Sequence, residues 1–363
     1  MLHPEMQDIS NKPVPQDGKE IRLFCVARNE MLRLPFFLDY YRKIGVSRFF
    51  IVDNISTDGT LEYLRSQPDV HVFETAASFA AAKGGATWIN SLMDVYGRGQ
   101  WCLVADADEL LIYPDCEQVN LPKFCDRLDT EGCEAMQVIL LDMYSDKPMP
   151  KLNYQAGQDL RQACPFFDGD YKFIKRLNLP GDPPAFPPQE PIGGPRSRMF
   201  FPRQHMAGGW RRLFVKLLCR AFKPLVRSGW IGRDLVPHPA PQMFKIPLIK
   251  WRDGMKLVTK HRTDPVTLSA TSGALLHFKY LDDFAVKTAD AVRHGQYYNG
   301  SSEYHRYALL LERNPNVTFM YAGSVRYASS EDLLRAGLMW RGVKATRQLA
   351  ASNILMSLAY LMA

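Results

Sequence analysis

WCLVADADELLIYP (residues 101–114) places three acidic side chains, Asp106, Asp108 and Glu109, between two apolar runs, residues 101–105 and 110–112. The first run is typical of a buried strand. Buried carboxylates cost free energy unless a cation neutralises them. Because side chains alternate along an extended chain, Asp106 and Asp108 point to the same side and can face one divalent cation. The alternative is that Asp106 or Asp108 caps a following helical turn.

The sequence upstream and downstream of this stretch alternates β-rich runs with helical patterns. The predicted strands are 21–27, 48–54, 70–75, 101–106 and 133–145, and the predicted helices are 31–45, 56–67 and a stretch ending near residue 96. Apolar strands that alternate with helices predict an α/β fold, a Rossmann-type, mostly parallel sheet flanked by helices. Such sheets bind ligands at the carboxyl ends of their strands.

Polar residues follow three of these strands. Arg28 and Glu30 follow the first strand, Asp53 and Asn54 end the second, and Asp106 ends the fourth. One polar strand end is unremarkable, but the carboxyl ends of parallel strands share an edge of the sheet. The sequence therefore predicts a binding site for a polar ligand at that edge.

The 363 residues allow one large or two modest domains, and the composition is that of a globular protein. We divide the chain into a disordered lead-in (1–20), a ligand-binding half (21–145), a loop-rich second half (146–285) and a C-terminal helical region (286–363). The lead-in has no apolar signal core, and no apolar run reaches the ~20 residues that span a bilayer. A cytoplasmic location, with reduced cysteines, is the simplest expectation.

The net charge of +7 is concentrated in residues 203–233, which hold eight basic and no acidic residues. The rest of the chain is nearly neutral, so nucleic-acid binding is not expected. Within this segment, apolar residues from Trp210 to Phe222 recur at helical spacing, with basic residues opposite. Two interpretations remain open: a helix at an anionic membrane surface, on the inner face of the plasma membrane, or an ordinary packed helix with a solvated basic face.

Three motifs in order, VARNE (26–30), FIVDNISTDGT (50–60) and WCLVADADELL (101–111), resemble the nucleotide-binding half of family 2-type glycosyltransferases with the GT-A fold, in their bacterial subgroup. The resemblance implies a metal-dependent, inverting transfer of a sugar from a UDP- or GDP-linked donor to a glycan or lipid-linked acceptor in surface glycan synthesis. It implies Mn²⁺ or Mg²⁺ as the cofactor. Asp53 would contact the base, Asp106 the ribose and the metal, and Asp108 the metal. Asn54 stands where the family usually has a carboxylate.

Further site residues are expected from the resemblance, since GT-A enzymes often complete their metal site with a histidine from later in the chain, and from chemistry. His277, in an apolar run, is either a third metal ligand or a buried structural histidine. Arg28 and Lys83 could neutralise a leaving diphosphate, as could Lys279, although an ordinary solvated surface lysine also explains Lys83. An acceptor hydroxyl needs a carboxylate base. The candidates for that base are Asp168, Asp170 and Glu190.

Two other functions remain open. A nucleotidyltransferase also uses paired carboxylates on an α/β sheet, but it usually has a glycine- and lysine-rich loop after the first strand, which ARNEMLRL (27–34) lacks. A non-catalytic membrane-surface binding protein would retain the fold without turnover.

Overall fold

The computed structural model describes residues 2–15, 19–177, 179, 186–230, 240–296 and 298–342. The helices are α1 (Leu34–Ile44), α2 (Thr60–Ser66), α3 (Ala86–Tyr96), α4 (Leu121–Thr130), α5 (Leu160–Ala163), α6 (Gly194–Phe200), α7 (Gly209–Arg227), α8 (Phe284–His294), α9 (Tyr298–Arg313) and α10 (Ser330–Arg335), with a 3₁₀ turn at Met149–Lys151. The strands are β1 (Gln7–Asp8), β2 (Ile21–Ala27), β3 (Arg48–Asp53), β4 (Val70–Glu74), β5 (Trp101–Val104), β6 (Glu109–Ile112), β7 (Ala135–Asp142), β8 (Phe166–Asp168), β9 (Lys172–Lys175), β10 (Gln189–Ile192), β11 (Phe244–Lys250), β12 (Leu257–Thr259), β13 (Arg262–Thr263), β14 (Gly273–His277) and β15 (Ser324–Arg326).

The central sheet has nine strands in the order β1-β4-β3-β2-β5-β11-β7-β14-β6. Strands β2, β3, β4, β5, β7 and β14 run in one direction, and β1, β6 and β11 run in the other. The predicted α/β fold with a mostly parallel sheet is therefore confirmed. Its first four parallel strands lie in the order β4-β3-β2-β5, so the strand order reverses between β2 and β5. In doubly wound sheets this switch point is where ligands bind.

Two apolar layers cover the two faces of the sheet. Leu23 and Cys25 of β2 pack into the layer that contains α1 and α4, whereas Phe24 packs with Trp88 of α3 on the other face. This alternation follows from the two-residue period of a strand. Both faces are buried, which explains why the strands read as continuous apolar runs.

The edge formed by the carboxyl ends of the six co-directional strands, here called the rim, carries the polar strand ends. Because β11 runs in the reverse direction, its first residues, Phe244 and Lys245, also lie at the rim. The chain thus leaves the sheet at the rim after Asp142 of β7 and re-enters it at the rim with β11. The intervening segment, residues 143–243, contains β8–β10 and α5–α7.

The N-terminal segment differs from the predicted disordered lead-in. β1 pairs with β4, Met6 is buried, and Lys12 Nζ donates a hydrogen bond to the Val70 carbonyl at 2.9 Å. Backbone pairing at a sheet edge needs no apolar side-chain pattern, so the polar composition of this segment gave no sign of the strand β1.

Within the described residues, no helix is both long enough and apolar enough to cross a bilayer. The predicted helical C-terminal region is helical at α8, α9 and α10. Its residues beyond 342 lie outside the described part of the chain.

Candidate functional site

A large cleft opens at the rim beside the switch point between β2 and β5. Its volume is about 1330 Å³, above the usual range for a small-molecule site. Residues after β2 (Arg28 and Glu30) and after β5 (Asp106 and Asp108) line it. The edge of the sheet that sequence reasoning selected is therefore the edge at which the cleft lies.

One half of the acidic stretch is neutralised by lysines from later in the chain. Lys245 Nζ lies 3.0 Å from Asp106 Oδ2 and 2.6 Å from Glu109 Oε1, and Lys260 Nζ lies 2.5 Å from Asp106 Oδ1. The buried Lys245 reaches the rim because β11 runs antiparallel to β5. Burial raises the pKa of Asp106, but Lys245 and Lys260 outweigh burial and hold that pKa well below its usual range. Protein cations thus compensate Asp106 and Glu109.

The other half of the stretch faces a histidine. In the sheet, β14 lies between β7 and β6, so that His277 is opposite both Asp142 and Glu109. His277 Nε2 is 3.2 Å from Asp108 Oδ2, and His277 Nδ1 is 2.6 Å from Asp142 Oδ1. Asp142 is fully buried and also receives hydrogen bonds from Arg196 at 2.5 and 3.1 Å.

The charges around His277 set its protonation. Burial lowers the pKa of His277, but the carboxylates of Asp108 and Asp142 raise it by more, so that the pKa is about 9. Burial likewise raises the pKa of Asp108, but His277 and Arg33 hold it well below its usual value. Without a metal, His277 is therefore an imidazolium that bridges two carboxylates near neutral pH.

These groups fit a divalent cation. Ligand atoms of Asp108, Glu109 and His277 lie within 4.8 Å of one another. With its Nδ1 proton directed at Asp142, His277 can offer the Nε2 lone pair on the side of Asp108, an arrangement in which a buried carboxylate orients a metal-binding histidine. A carboxylate with an imidazole suits a first-row cation such as Mn²⁺. Asp106, which we expected to be a metal ligand, is not a member of this group; two lysines hold its carboxylate, and Lys245 also contacts both carboxylate oxygens of Glu109, which leaves Asp108 and His277 as the main candidate ligands.

Basic side chains line much of the cleft. Arg28 and Lys83 are exposed on its wall, as the sequence predicted, and Lys260 and Lys279 lie deeper. Lys279 Nζ is 4.5 Å from the centre of the Tyr304 ring and 3.9 Å from Glu303. Burial lowers the pKa of Lys279. Glu30, by contrast, is paired with Lys287 at 2.5 Å, which joins the end of β2 to α8.

Asp53 does not line the cleft. Its side chain is fully buried, and its Oδ2 accepts a hydrogen bond from the Ser56 amide at 3.0 Å. Oδ2 closes the turn after β3, whereas Oδ1 is buried without a hydrogen-bond partner in the described part of the chain, so the expected contact between Asp53 and a nucleotide base stays a prediction. Asn54 does line the cleft, but its Nδ2 donates to the Thr75 and Ala77 carbonyls at 2.8 and 3.1 Å.

The three candidate bases differ in whether they line the cleft. Glu190, on β10, lines the cleft, 3.2 Å from Arg212 and 3.6 Å from Arg176. Asp168 is not part of the cleft wall: Arg198 pairs with it at 3.1 Å, and the Tyr144 hydroxyl donates to it at 2.7 Å. Asp170 also lies off the wall and accepts a hydrogen bond from the Tyr321 hydroxyl at 2.6 Å.

Sequence reasoning missed Asp142, Lys245 and the ligand geometry of Glu109. Lys245 had a recognisable signal, since a single lysine near the start of an apolar strand is almost never buried without an anionic partner. Asp142 lies inside the predicted strand 133–145, so the argument from strand ends did not select it, but in the structure it is the last residue of β7. Glu109 was within the acidic stretch but was assigned no role.

No protein-family model matches the chain, and no curated protein matches it either.

Proposed function

We propose that the protein is a metal-dependent glycosyltransferase that moves a sugar from a nucleotide-diphosphate donor to an acceptor hydroxyl, with a GT-A-like arrangement of its sheet. The observation that carries the proposal is the approach of Asp108, Glu109 and His277 within 4.8 Å at the rim of a cleft lined with basic side chains. Carboxylate and imidazole ligands suit a cation, and lysines and arginines suit phosphate oxygens. A donor carried on a metal-bound diphosphate matches both.

In this proposal Asp108 and His277 hold Mn²⁺ or Mg²⁺, and Asp142 keeps the Nδ1 proton of His277 in place. A cation held there would supply the positive charge that offsets the negative charge of a leaving diphosphate. Lys279 and Lys83 both line the cleft and would bind phosphate oxygens, and these contacts would strengthen as charge develops. Lys245 and Lys260 keep Asp106 ionised, so that it can accept a hydrogen bond from a ribose hydroxyl.

The acceptor needs a base on the side of the cleft away from the diphosphate. Of the three candidates, Glu190 is the one that lines the cleft. Arg176 and Arg212 orient its carboxylate. We therefore assign the base to Glu190 in preference to Asp168 and Asp170.

Metal-dependent nucleotide binding tests the proposal. Wild-type protein stripped of metal is mixed with UDP or GDP, with and without Mn²⁺, and calorimetry measures the affinity. We expect tight binding of one diphosphate that requires Mn²⁺ and is lost in Asp108→Asn. The control is Asp126→Asn, which changes an exposed carboxylate on α4 outside the cleft. Binding that needs no metal, or that survives Asp108→Asn, would contradict the proposal.

Product analysis then identifies the reaction class. Incubation with UDP- and GDP-sugars is expected to release the nucleoside diphosphate, either by transfer or by slow hydrolysis. Release of pyrophosphate from a nucleoside triphosphate and a sugar phosphate would instead identify a nucleotidyltransferase. Retention of metal-dependent binding with neither product would leave a binding protein and refute the enzymatic proposal.

A further inference from the structure

Helix α7 exposes its apolar side. Trp210 is 78% exposed, Phe214 61% and Leu217 46%, and Leu225 near the end of the helix is 38% exposed. Their spacings of four, three and eight residues place them on one stripe of a 3.6-residue helix. Trp230, shortly after the helix, is 83% exposed. Apolar patches of this kind usually mark an interaction surface.

Two residues on the basic side of α7 face the protein instead. Arg212 and Lys216 line the cleft, and Arg212 Nε is 3.2 Å from the buried Glu190. Burial and the neighbouring cations lower the pKa of Lys216. This orientation is the reverse of an ordinary packed helix, whose apolar stripe covers the core and whose charges meet water. The interpretation of a packed helix with a solvated basic face therefore fails for Arg212 and Lys216, although Lys223 on the same face is exposed.

Other cations border the exposed stripe. At about 100° per residue, Arg211 and Arg220 lie roughly a quarter turn to either side of it. Arg211, Arg220 and Lys223 are exposed, and residues 203–233 contain no acidic residue. An apolar stripe with flanking arginines matches a surface that is apolar within and negatively charged outside, as an anionic bilayer is. A protein partner would need an apolar groove with acidic edges.

We propose that the outward stripe of α7, together with Trp230, docks on an anionic lipid bilayer, with the helix lying parallel to the membrane in the headgroup region. Trp210, Phe214 and Leu217 enter the acyl boundary, and Arg211 and Arg220 bind lipid phosphates. The opposite side of the same helix lines the cleft, so docking brings the cleft to the membrane surface. This inference does not depend on the proposed reaction.

Vesicle flotation tests the docking with the full-length protein. Vesicles of phosphatidylcholine alone are compared with vesicles that also contain phosphatidylglycerol. We expect wild-type protein to float with the anionic vesicles and to bind the neutral ones at least about tenfold more weakly, with the difference reduced by salt. The triple variant Trp210→Ser, Phe214→Ser, Leu217→Ser is expected to lose at least about tenfold in binding to anionic vesicles.

A matched control separates docking from a general loss of apolar surface. Val95→Ser with Leu309→Ser changes residues on α3 and α9 that are 39% and 52% exposed, and this double variant is expected to float like the wild type. All changed residues are surface residues, so circular dichroism should show folded protein throughout. Flotation of the triple variant at the wild-type level, or failure of the wild type to float, would overturn the proposal.

Fluorescence quenching by brominated lipid locates the contact. Quenching in the wild type is expected to come from Trp210 and Trp230, because Trp88, Trp101 and Trp251 are buried and the half-buried Trp340 packs against Phe173. The variant Trp210→Phe, Trp230→Phe should still float but should lose most of the quenching. If the wild type is instead a dimer that ignores vesicles, and the triple serine variant is a monomer, the stripe joins two copies of the chain and the lipid proposal is wrong.

Discussion

Replacing Asp142 with asparagine is expected to weaken Mn²⁺ binding by about 10- to 100-fold, although Asp142 is not itself a proposed ligand. Its carboxylate accepts the Nδ1 proton of His277 at 2.6 Å, and this leaves Nε2 facing Asp108. An amide can instead donate to Nδ1, which moves the imidazole proton to Nε2 and blocks ligation. The loss corresponds to about 1.4 to 2.7 kcal/mol of binding free energy.

The same substitution also reduces stability. Asp142 pairs with Arg196 at 2.5 Å in the buried region between β7 and α6. Removing one partner of a buried ion pair costs about 3–5 kcal/mol of unfolding free energy. Glu303, 3.6 Å from Arg196, offsets part of this cost. The double variant Asp142→Asn, Arg196→Gln removes the unpaired charge and should recover stability without recovering metal affinity.

Calorimetric titration of metal-free protein with Mn²⁺ measures the affinity, and urea unfolding measures the stability. Asp126→Asn should match the wild type in both. If the double variant is folded and binds Mn²⁺ as tightly as the wild type, Asp142 does not orient His277, and the reasoning fails. If Asp142→Asn loses much stability but keeps its affinity for Mn²⁺, Asp142 likewise does not orient His277.

Two further predictions concern the charges at the rim. Lys245→Met leaves the buried Glu109 carboxylate without its cation, and urea unfolding should show a loss of about 3–5 kcal/mol. Lys250→Met, at the far end of β11 on an exposed pair with Asp129, should cost less than about 1 kcal/mol. Because the pKa of His277 is raised to about 9, Mn²⁺ must displace a proton, so its affinity should rise about tenfold per pH unit from pH 7 and level off above about pH 9.

The protonation of His277 also predicts how the stability of the metal-free protein depends on pH. A histidine with a raised folded-state pKa stabilises the fold fully below its unfolded pKa of about 6.5, and this contribution disappears as the pH rises through about 9. The metal-free protein should therefore unfold at lower urea concentration at pH 9.5 than at pH 6.5. A flat Mn²⁺ affinity between pH 7 and 9, or equal losses for Lys245→Met and Lys250→Met, would contradict these assignments.

Local patterns predicted the strands and their common edge because a buried parallel strand needs a continuous apolar run, and its end needs polar groups at the rim. Residues 21–27 and 101–106 show both features, and they became β2 and β5. Strand order is a non-local property. Nothing in the residues of β11 shows that it pairs with β5 in the reverse direction, so the delivery of Lys245 to Asp106 could not be read from the sequence.

Helix α7 is a second case in which a local pattern does not show a tertiary contact. Its apolar period predicted a helix, and the structure has one at Gly209–Arg227. The period gives the direction of the apolar stripe relative to the basic residues, but it does not say which side meets the protein. Only Glu190, from a separate strand, determines that Arg212 turns inward. Similarly, Asp53 matched the motif, but the turn after β3 uses its carboxylate for a backbone amide.

The reversed direction of β11 has a consequence for how such a protein can diverge. Residues 143–243 follow the rim end of β7 and precede the rim end of β11, so they form one excursion between two strand ends at the same edge of the sheet. This excursion supplies Glu190, Arg196 and α7, whereas Asp108 and His277 belong to the sheet and its turns. Insertions or replacements within it leave the strand register intact. One side of the cleft can therefore acquire a new specificity while the cation-binding side stays unchanged.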